Sequence, residues 1–477
     1  MTVIAPPRPP SGGDPEALIE EARRRQRRRR QRLIGLAALL VAAGLSAYFV
    51  VDRGGGGHPR LSGAGKRHFA SRRCPGIALG TVAFVRDGAL ATVDLRTCTT
   101  RVLVSSGVAG PVQFSPDGRY IAFKGGYVPR GGGAVRRTPS GVFPTPAGVW
   151  STRGDSLAFA TAKGGAELLG PNGKARVLLP DGWGATGFAF SPDGRTLAVS
   201  RSLLTIRTSP PYHQEIWGID LATGKRRELF RVHKEPASIS GAVLQNGVAS
   251  PLLVGFSPDG RWLLFREYIG ASLAADGAAL LILPAAGGRA VAIGRELLYP
   301  DFVTWCGNKL VFVVNHGGRQ VTLGGGIAAA ARPSWRPRTI LRAGGKTSWN
   351  SVACPTPVAA ARGGGGLVVA GGPTSDNTPF GQEHRSLWLV SPTKAARPQL
   401  LSQTVPPRRE TDELPMWSGD GRWIVYVRTK AGGIQARGSL YAIDPFGGNQ
   451  IGPIASVGKT GNYYGAYGWS SQLDWHR

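Results

Sequence analysis

Side chains that bind polar partners or exchange protons are concentrated in long segments of the middle and C-terminal parts of the chain. Imidazole, carboxylate, guanidinium and phenol groups recur there, and such groups form hydrogen bonds, ion pairs or acid–base sites. The candidate binding residues are Tyr212, His213, His233, Glu235, Glu267, Tyr268, His316, Asp376, Glu383, His384, Arg408 and Arg409, with Glu410 and Asp412 beside them. Each of them alone is most simply a solvated loop residue. They indicate a site only if the fold brings their segments to one surface.

The motifs that would predict a reaction are missing or fail at a required position. Gly-Lys-Thr occurs at 345–347 and 458–460, but a phosphate-binding loop would need glycine where the chain has Ile340 and Pro453. There is no Gly-x-Ser-x-Gly nucleophile elbow and no His-Glu-x-x-His zinc motif. Cysteine pairs at zinc-binding spacing are absent as well. The sequence therefore predicts no catalytic residue, no metal and no cofactor.

The elements that would position the candidate loops are encoded by a ten-residue motif that recurs at uneven intervals. FSPDGRYIAF starts at Phe114, FSPDGRTLAV at Phe190, FSPDGRWLLF at Phe256 and WSGDGRWIVY at Trp417. Proline presets the first central position of a type I turn, aspartate tolerates the next, and glycine takes the left-handed conformation that follows. Because an apolar run lies on each side of the turn, the motif predicts a β-hairpin of fixed loop length.

Weaker copies of this hairpin keep its apolar ends and vary the turn between them. In VWSTRGDSLAF (149–159) the turn position holds Arg-Gly-Asp, so we interpret that tripeptide as a turn and not as an adhesion motif. FVTWCGNKLVF (302–312) shortens the loop, and the segment 350–369 lengthens it. Several hairpins are followed by a second pair of strands, such as those that start at Glu215 and Ser439. Four antiparallel strands per repeat describe the blade of a β-propeller.

These repeats resemble the TolB-type, WD-repeat-like propeller repeats named for their Pro-Asp dipeptide. The resemblance rests on the motif at 115–123, 191–199 and 257–265, on its variant at 418–426, and on the strands IWGID and LYAID. It covers roughly residues 79–477 and implies an all-β propeller. TolB itself carries an α/β domain before its propeller, whereas a tether precedes the blades here, so no role in the Tol system follows.

We expect about eight four-stranded blades, or seven if the weak copy near residue 353 is an insertion. The innermost strands are predicted to end near residues 114, 150, 190, 256, 305, 353, 417 and 469. The first blade strand, TVAFV at 81–85, lacks an innermost partner, and the C-terminal segment 464–477 has no hairpin of its own. The C-terminal strand is therefore predicted to pair with the first blade and close the ring. The candidate loops would then share one face of it.

The N-terminal segment has the features of a membrane anchor. Eight of the residues 23–32 are Arg, and residues 33–51 carry no charge over about the length that crosses a ~30 Å hydrocarbon core. We predict a basic cytoplasmic tail (1–32), one transmembrane helix (33–51), a flexible linker (52–78) and an extracytoplasmic propeller (79–477). The predicted location is the cell membrane, with a single pass. A cleaved signal peptide is the alternative.

The cysteines agree with a location outside the cytoplasm. Cys74, Cys98, Cys306 and Cys354 all follow the predicted span and would lie on the oxidising side. An even count permits two disulfides with three possible connectivities. The more local choice pairs Cys74 with Cys98 and Cys306 with Cys354.

The charge of the chain is compatible with an anionic partner. Lys and Arg number 58 against 29 Asp and Glu, which gives a formal net charge of +29. Lipid headgroups or an acidic wall polymer would suit such a charge, and a coding bias with a solvated basic surface is the alternative. Because no nucleic-acid-binding signature accompanies the charge, no nucleic acid partner is expected.

Together these patterns predict a binding protein without catalytic activity. The expected partners are the membrane, through residues 33–51, and a protein or an anionic envelope polymer at the loop-rich face of the propeller. The alternative is a propeller enzyme, such as a lyase, a cyclase or a sugar-active hydrolase, with a site at the mouth of the central channel. A third hypothesis, a sensor that couples an outside ligand to the basic tail, rests on topology alone.

Overall fold

The structure is a computed structural model. It describes residues 80–138, 148–170, 173–202, 214–231, 250–268, 277–296, 299–314, 326–342, 347–355, 366–373, 384–390, 398–401, 404–407, 409–430, 435–463 and 466–476. The predicted tail, transmembrane helix and linker lie outside these residues. Within them, no helix has the length and apolar character needed to cross a membrane.

The described residues form eight antiparallel sheets, each one blade of a propeller. In blades 1–4 the strands are β1 (Thr81–Arg86), β2 (Ala89–Asp94), β3 (Thr100–Val104); β4 (Gln113–Phe114), β5 (Tyr120–Phe123), β6 (Gly126–Pro129), β7 (Arg136–Arg137); β8 (Val149–Trp150), β9 (Leu157–Ala160), β10 (Ala166–Leu169), β11 (Ala175–Leu179); and β12 (Ala185–Phe190), β13 (Thr196–Ser202), β14 (Gln214–Asp220), β15 (Arg226–Arg231).

In blades 5–8 they are β16 (Ser250–Phe256), β17 (Trp262–Tyr268), β18 (Ala278–Pro284), β19 (Val291–Glu296); β20 (Val303–Cys306), β21 (Lys309–Val313), β22 (Ile327–Ala331), β23 (Arg338–Leu341); β24 (Thr347–Ala353), β25 (Leu367–Pro373), β26 (Ser386–Val390), β27 (Gln399–Leu400); and β28 (Glu410–Trp417), β29 (Ile424–Lys430), β30 (Gln435–Ile443), β31 (Gln450–Tyr463), with β32 (Ala466–Tyr467) as a short extra strand. The last strand of the chain, β33 (Leu473–His476), completes blade 1.

The recurring turn has its glycine in the predicted left-handed conformation and is held by local hydrogen bonds. In blade 2 the Ser115 hydroxyl donates to Oδ1 of Asp117 at 2.6 Å, and it accepts from the backbone N–H of Tyr120 at 2.9 Å. Gly118 takes a φ of +69° and donates its N–H to the Ser115 carbonyl at 2.7 Å. A Cβ at this glycine would lie 2.1 Å from the ring of His476, so the turn also needs glycine to pack against the C-terminal strand.

Apolar side chains between neighbouring blades form the core. Eight hydrophobic clusters each join two successive blades; in one, Leu90 of blade 1 packs with Ile121 and Phe123 of blade 2. The cluster that contains Trp423 and Leu440 of blade 8 also contains side chains of blade 1, so the series returns to its start. A single blade cannot bury both of its faces, and the closed ring buries them all.

The C-terminal strand closes the ring, as predicted. β33 pairs antiparallel with β1 from Thr81 opposite His476 to Phe84 opposite Leu473. Oδ2 of Asp474 also accepts a hydrogen bond of 2.7 Å from the backbone N–H of Phe114, in the next blade. The all-β propeller of eight four-stranded blades is thus confirmed, and the seven-bladed alternative is wrong.

One predicted strand end is wrong, although the other seven agree with the ends of the innermost strands. Trp469 lies in a 3-10 turn, Gly468–Ser471, and the innermost strand of blade 1 begins only at Leu473. The indole of Trp469 is buried between blades 8 and 1 and donates to the Thr429 hydroxyl at 2.8 Å. Packing between the blades therefore sets the position of Trp469. Trp475, in β33, occupies the position in the innermost strand where the repeat motif has an aromatic residue.

The predicted disulfide between Cys306 and Cys354 is present, with Cα atoms 5.4 Å apart. It joins the innermost strand of blade 6 to the residue that follows the innermost strand of blade 7. Cys98 is buried in blade 1 and is not a free thiol, whereas Cys74 lies outside the described residues, so the second pairing stays a prediction.

Strand direction defines two faces of the ring. The turns between strands 1 and 2 and between strands 3 and 4 of each blade lie on one face, which we name the turn face. The loops between strands 2 and 3 and the links between blades lie on the other, the loop face. The chain enters blade 1 at Gly80 on the turn face, where the Gly80 carbonyl accepts the N–H of Leu95 at 3.0 Å.

Candidate functional site

Most of the predicted binding residues cannot be placed. Tyr212, His213, His233, Glu235, His316, Asp376, Glu383 and Arg408 lie outside the described residues, and only the backbone of Tyr268 is described. The three that remain, Glu267, His384 and Arg409, do lie at the loop face. The convergence of the whole set on one surface therefore stays a prediction.

Two of the three described candidates are brought together. His384, in the loop before β26, donates its N–H to the carbonyl of Glu410 at 3.0 Å. Its Nε2 accepts the N–H of Arg409 at 3.4 Å. Glu267 belongs to blade 5, where partial burial raises the pKa of its carboxyl group. The structure thus joins a blade 7 loop to the link between blades 7 and 8, and leaves Glu267 on another blade.

Sequence reasoning missed a set of buried charged side chains next to this contact. They come from blades 5, 7 and 8 and from the link between blades 5 and 6, and we name them the buried charge cluster: Arg266, Glu296, Arg385, Asp412 and Glu413, which are buried, with the partly buried Asp301 and Arg428. Four carboxylates thus face three guanidinium groups. Of these residues, only Asp412 stood out in the sequence, as a neighbour of the candidate loop residues.

Arg385 ties the blade 7 loop to the innermost strand of blade 8. Its guanidinium binds Oε1 of Glu413, and the two side chains are 1% and 3% exposed. The Arg385 carbonyl also accepts the N–H of Asp412 at 2.9 Å, and its N–H reaches the Thr411 hydroxyl at 3.2 Å. Burial raises the pKa of Glu413 to about 8, and the positive charge of Arg385 opposes that rise.

Asp412 projects to the opposite side of the same strand and pairs with Arg428 on β29. The pair is bidentate, with Nε to Oδ1 at 2.7 Å and a terminal nitrogen to Oδ2 at 2.9 Å. The guanidinium carbon lies 4.8 Å from the ring centre of Tyr441 and 5.9 Å from that of Tyr426. Burial raises the pKa of Asp412 to about 7, against the pull of Arg428.

A second buried pair lies on blade 5. Nε of Arg266 donates to Oε1 of Glu296 at 2.6 Å, and the side chains are 9% and 0% exposed. A terminal nitrogen of Arg266 also reaches the Tyr299 carbonyl at 3.3 Å, in the link that leads to blade 6. Burial raises the pKa of Glu296.

Asp301 connects these pairs across the ring. It lies in the 3-10 turn Pro300–Phe302, and its Oδ2 accepts a hydrogen bond from the hydroxyl of Ser351, on the innermost strand of blade 7. The 3-10 turn before β33, which contains Ser470, packs against this turn, and burial raises the pKa of Asp301. The link between blades 5 and 6 and the link between blades 8 and 1 are not neighbours around the ring. Their contact therefore crosses the end of the central channel.

Strained backbone accompanies the cluster. Ser351, His384, Arg409 and Leu414 have φ values of +46°, +83°, +68° and +50°, a region that residues other than glycine avoid. Ser351 and Leu414 lie at register shifts in the innermost strands of blades 7 and 8. Such bulges redirect side chains, and here they place Ser351 and Glu413 toward the cluster.

The cluster could bind hydrogen-bond donors or exchange protons. Oε2 of Glu296, Oδ1 of Asp301 and Oε2 of Glu413 are buried and have no hydrogen-bond partner within the described part of the chain. Acceptor oxygens of this kind suit hydroxyl, ammonium or water donors. No group of three or more metal-binding side chains occurs among the described residues, and the cluster pairs its carboxylates with guanidinium groups.

Comparisons with known proteins support the fold and nothing finer. No protein-family model and no curated protein matches the chain. Among solved structures, the chain is similar to the dihydro-heme d1 dehydrogenase NirN, with 17% identity, a TM-score of 0.50 and coverage of 83% of this chain and 80% of that one. TolB from Acinetobacter baumannii shows 15% identity, a TM-score of 0.32 and coverage of 78% and 62%.

A prolyl endopeptidase shows 12% identity, a TM-score of 0.43 and coverage of 83% of this chain. The chain spans only half the length of that enzyme and less than two thirds of TolB. The class that the structure defines is the eight-bladed β-propeller, and this fold does not by itself determine a function.

Proposed function

We propose that this chain is a membrane-anchored extracytoplasmic β-propeller that binds a protein or an anionic envelope polymer and catalyses no reaction. The uncharged run 33–51 behind eight Arg supports the anchor, and the net charge of +29 supports an anionic partner. The loop face supports the binding role, because long loops on a rigid ring are the usual platform for recognition.

The enclosure of the buried charge cluster carries the non-catalytic part of the proposal. Glu296 and Asp412 are fully buried and Glu413 is 3% exposed, and each forms an ion pair with an arginine. A catalytic acid or base must come within hydrogen-bond distance of the proton it transfers. Carboxylates closed off in this way hold a blade 7 loop and the link between blades 5 and 6 in place.

Affinity capture with the full-length chain tests this function. Solubilised envelopes are passed over the immobilised chain at low and high salt, about 0.05 and about 0.5 M, which changes screening severalfold. We expect a saturable partner at low salt, released at high salt if it is an anionic polymer. An Arg409→Glu variant, which changes the loop face without touching a buried ion pair, should bind less. Capture of nothing at either salt concentration would refute the binding role.

A catalytic role is the second candidate, favoured by the proton affinities in the cluster. The pKa values of about 7 for Asp412 and about 8 for Glu413 lie where acid–base catalysts operate. Glu413→Gln keeps the shape of the side chain and removes proton exchange. If the chain degrades envelope polysaccharide and this variant loses kcat with an unchanged melting temperature, the enzyme hypothesis replaces the binding hypothesis.

A further inference from the structure

We infer that the turn face docks on an anionic lipid surface and so fixes the orientation of the ring, with the loop face turned away from the membrane. The inference rests on the proposed function, because it uses the predicted anchor as the tether. It adds a second, electrostatic contact between the propeller and the bilayer.

The repeat places exposed cations on the turn face. The arginine that ends the turn motif is exposed in four blades, as Arg119, Arg195, Arg261 and Arg422, and Arg153 is exposed in the variant turn of blade 3. The count for the whole face adds the turns between strands 3 and 4 and the first two residues of each outermost strand. The described part of the turn face then exposes eighteen Arg and Lys. It exposes five Asp, so thirteen positive charges are in excess.

The aspartates on this face turn back into their own loops. Oδ1 of Asp193 accepts from the Ser191 hydroxyl at 2.6 Å and from the N–H of Arg195 at 3.0 Å, and the equivalent bonds recur in blades 2, 5 and 8. These bonds lower the pKa of Asp193, so the carboxylate stays ionised but faces the backbone. Asp117 and Asp259 also pair with Arg119 and Arg332. Arg153, Arg195, Arg261 and Arg289, in contrast, are exposed to solvent.

Protection of exposed sheet edges does not account for all of these cations. Charged residues on an outermost strand, such as Arg136 or Arg226, prevent pairing with other chains. The arginines of the turns between strands 1 and 2 lie beside the innermost strand, far from any free edge. Their presence gives the whole turn face a positive charge, from the channel to the rim.

The described chain begins on this face. The first described residue, Gly80, lies on the turn face, so the predicted linker 52–78 joins the ring there. A flexible linker of that length has a root-mean-square span of roughly 30 Å, from about 5–6 Å multiplied by the square root of the residue number. The tether therefore holds the cationic face at high local concentration beside the headgroups. Each cation near an anionic surface strengthens docking about fivefold.

Hydrogen exchange of the full-length chain in vesicles tests the inference. The chain is reconstituted in phosphatidylcholine alone and with about one third phosphatidylglycerol, since juxtamembrane cations bind anionic lipid. We expect the anionic lipid to slow exchange at the turn segments 115–119, 191–195 and 257–261 and to leave the loop-face hairpin 430–437 unchanged. High salt should remove the effect, because such contacts are screened.

Charge reversal provides the matched comparison. Arg153→Glu, Arg195→Glu, Arg261→Glu and Arg289→Glu together change exposed turn-face residues and should weaken docking at least about 100-fold, removing the protection. The control reverses four exposed loop-face cations, Lys163, Lys430, Arg437 and Lys459, and should keep the protection. Equal melting temperatures of the two variants would show that neither has unfolded the ring.

Three outcomes would overturn the inference. Protection of the loop face by anionic lipid would reverse the orientation, and equal exchange in both vesicles would exclude docking. Protection of the turn face by soluble polyglutamate, without an effect of phosphatidylglycerol, would assign the face to an anionic polymer. If alkaline carbonate extracts the chain from the vesicles, the predicted anchor itself is wrong, which distinguishes that failure from the failure of docking.

Discussion

Replacing Trp475 by alanine tests the closure of the ring. Trp475 is 7% exposed and packs in the cluster that joins blades 8 and 1, opposite Val82 of β1. A buried tryptophan removes up to about 250 Å² from water, or at most about 6 kcal/mol at 25 cal/mol per Å². Tryptophan-to-alanine changes in cores cost about 3–5 kcal/mol. We therefore expect the free energy of unfolding to fall by about 4 kcal/mol.

Thermal unfolding of the full-length chain in detergent measures this loss. With an unfolding entropy of about 2.1 cal/mol/K per residue, a ring of about 400 residues should melt roughly 5 °C lower. Phe446→Ala is the matched control, since Phe446 is 60% exposed on a turn and its removal should change stability by less than about 0.5 kcal/mol. If Trp475→Ala melts like the wild type, the C-terminal strand does not hold the ring closed.

Three further predictions follow from single contacts. Gly118→Ala should destabilise the protein by more than Gly224→Ala. Both positions have a φ near +70°, but only a Cβ at position 118 would clash with the closing strand β33. Equal melting temperatures of the two variants would contradict this. Replacing Cys306 and Cys354 by serine removes the disulfide that closes a segment with a sequence separation of 48 and should cost about 4 kcal/mol without reductant; a melting temperature equal to that of the wild type would contradict this. Because burial raises the pKa of Glu413 to about 8, its contribution to stability is present below about pH 4.5 and is lost as the pH rises toward 8. Melting temperatures from pH 5 to 8 should therefore fall more steeply for the wild type than for Glu413→Gln, and parallel curves would refute the raised pKa.

The repeat turn was predictable because its conformation is set by adjacent residues. Ser115, Pro116, Asp117 and Gly118 specify a turn through local hydrogen bonds and backbone preferences that need no distant partner. The orphan strand at 81–85 and the unpaired C-terminal segment then implied that the two ends of the chain meet. The same reasoning misplaced the strand at Trp469, because its burial between two blades depends on side chains of Thr429 and blade 1.

The buried charge cluster was not predictable from the sequence. Along the chain, each of Arg266, Asp301, Arg385 and Glu413 is 28 to 84 residues from the next, and no local spacing relates them. Which side of a strand Glu413 faces depends on the bulge that follows it, and a bulge shifts the alternation of side chains by one residue. Glu267, His384 and Arg409 were predicted as candidates because they lie in long segments between strands. Their contacts in the structure were not predicted.

The four-stranded blade, the number of repeats to within one and the positive charge at the turn motifs all follow from the amino-acid sequence. These properties depend on short-range backbone preferences and on composition, both of which act within a few residues. The tertiary structure alone decided that arginines such as Arg195 point outward while Arg385 and Glu413 pair in the interior. That choice depends on burial, and burial exists only once eight blades close around an axis.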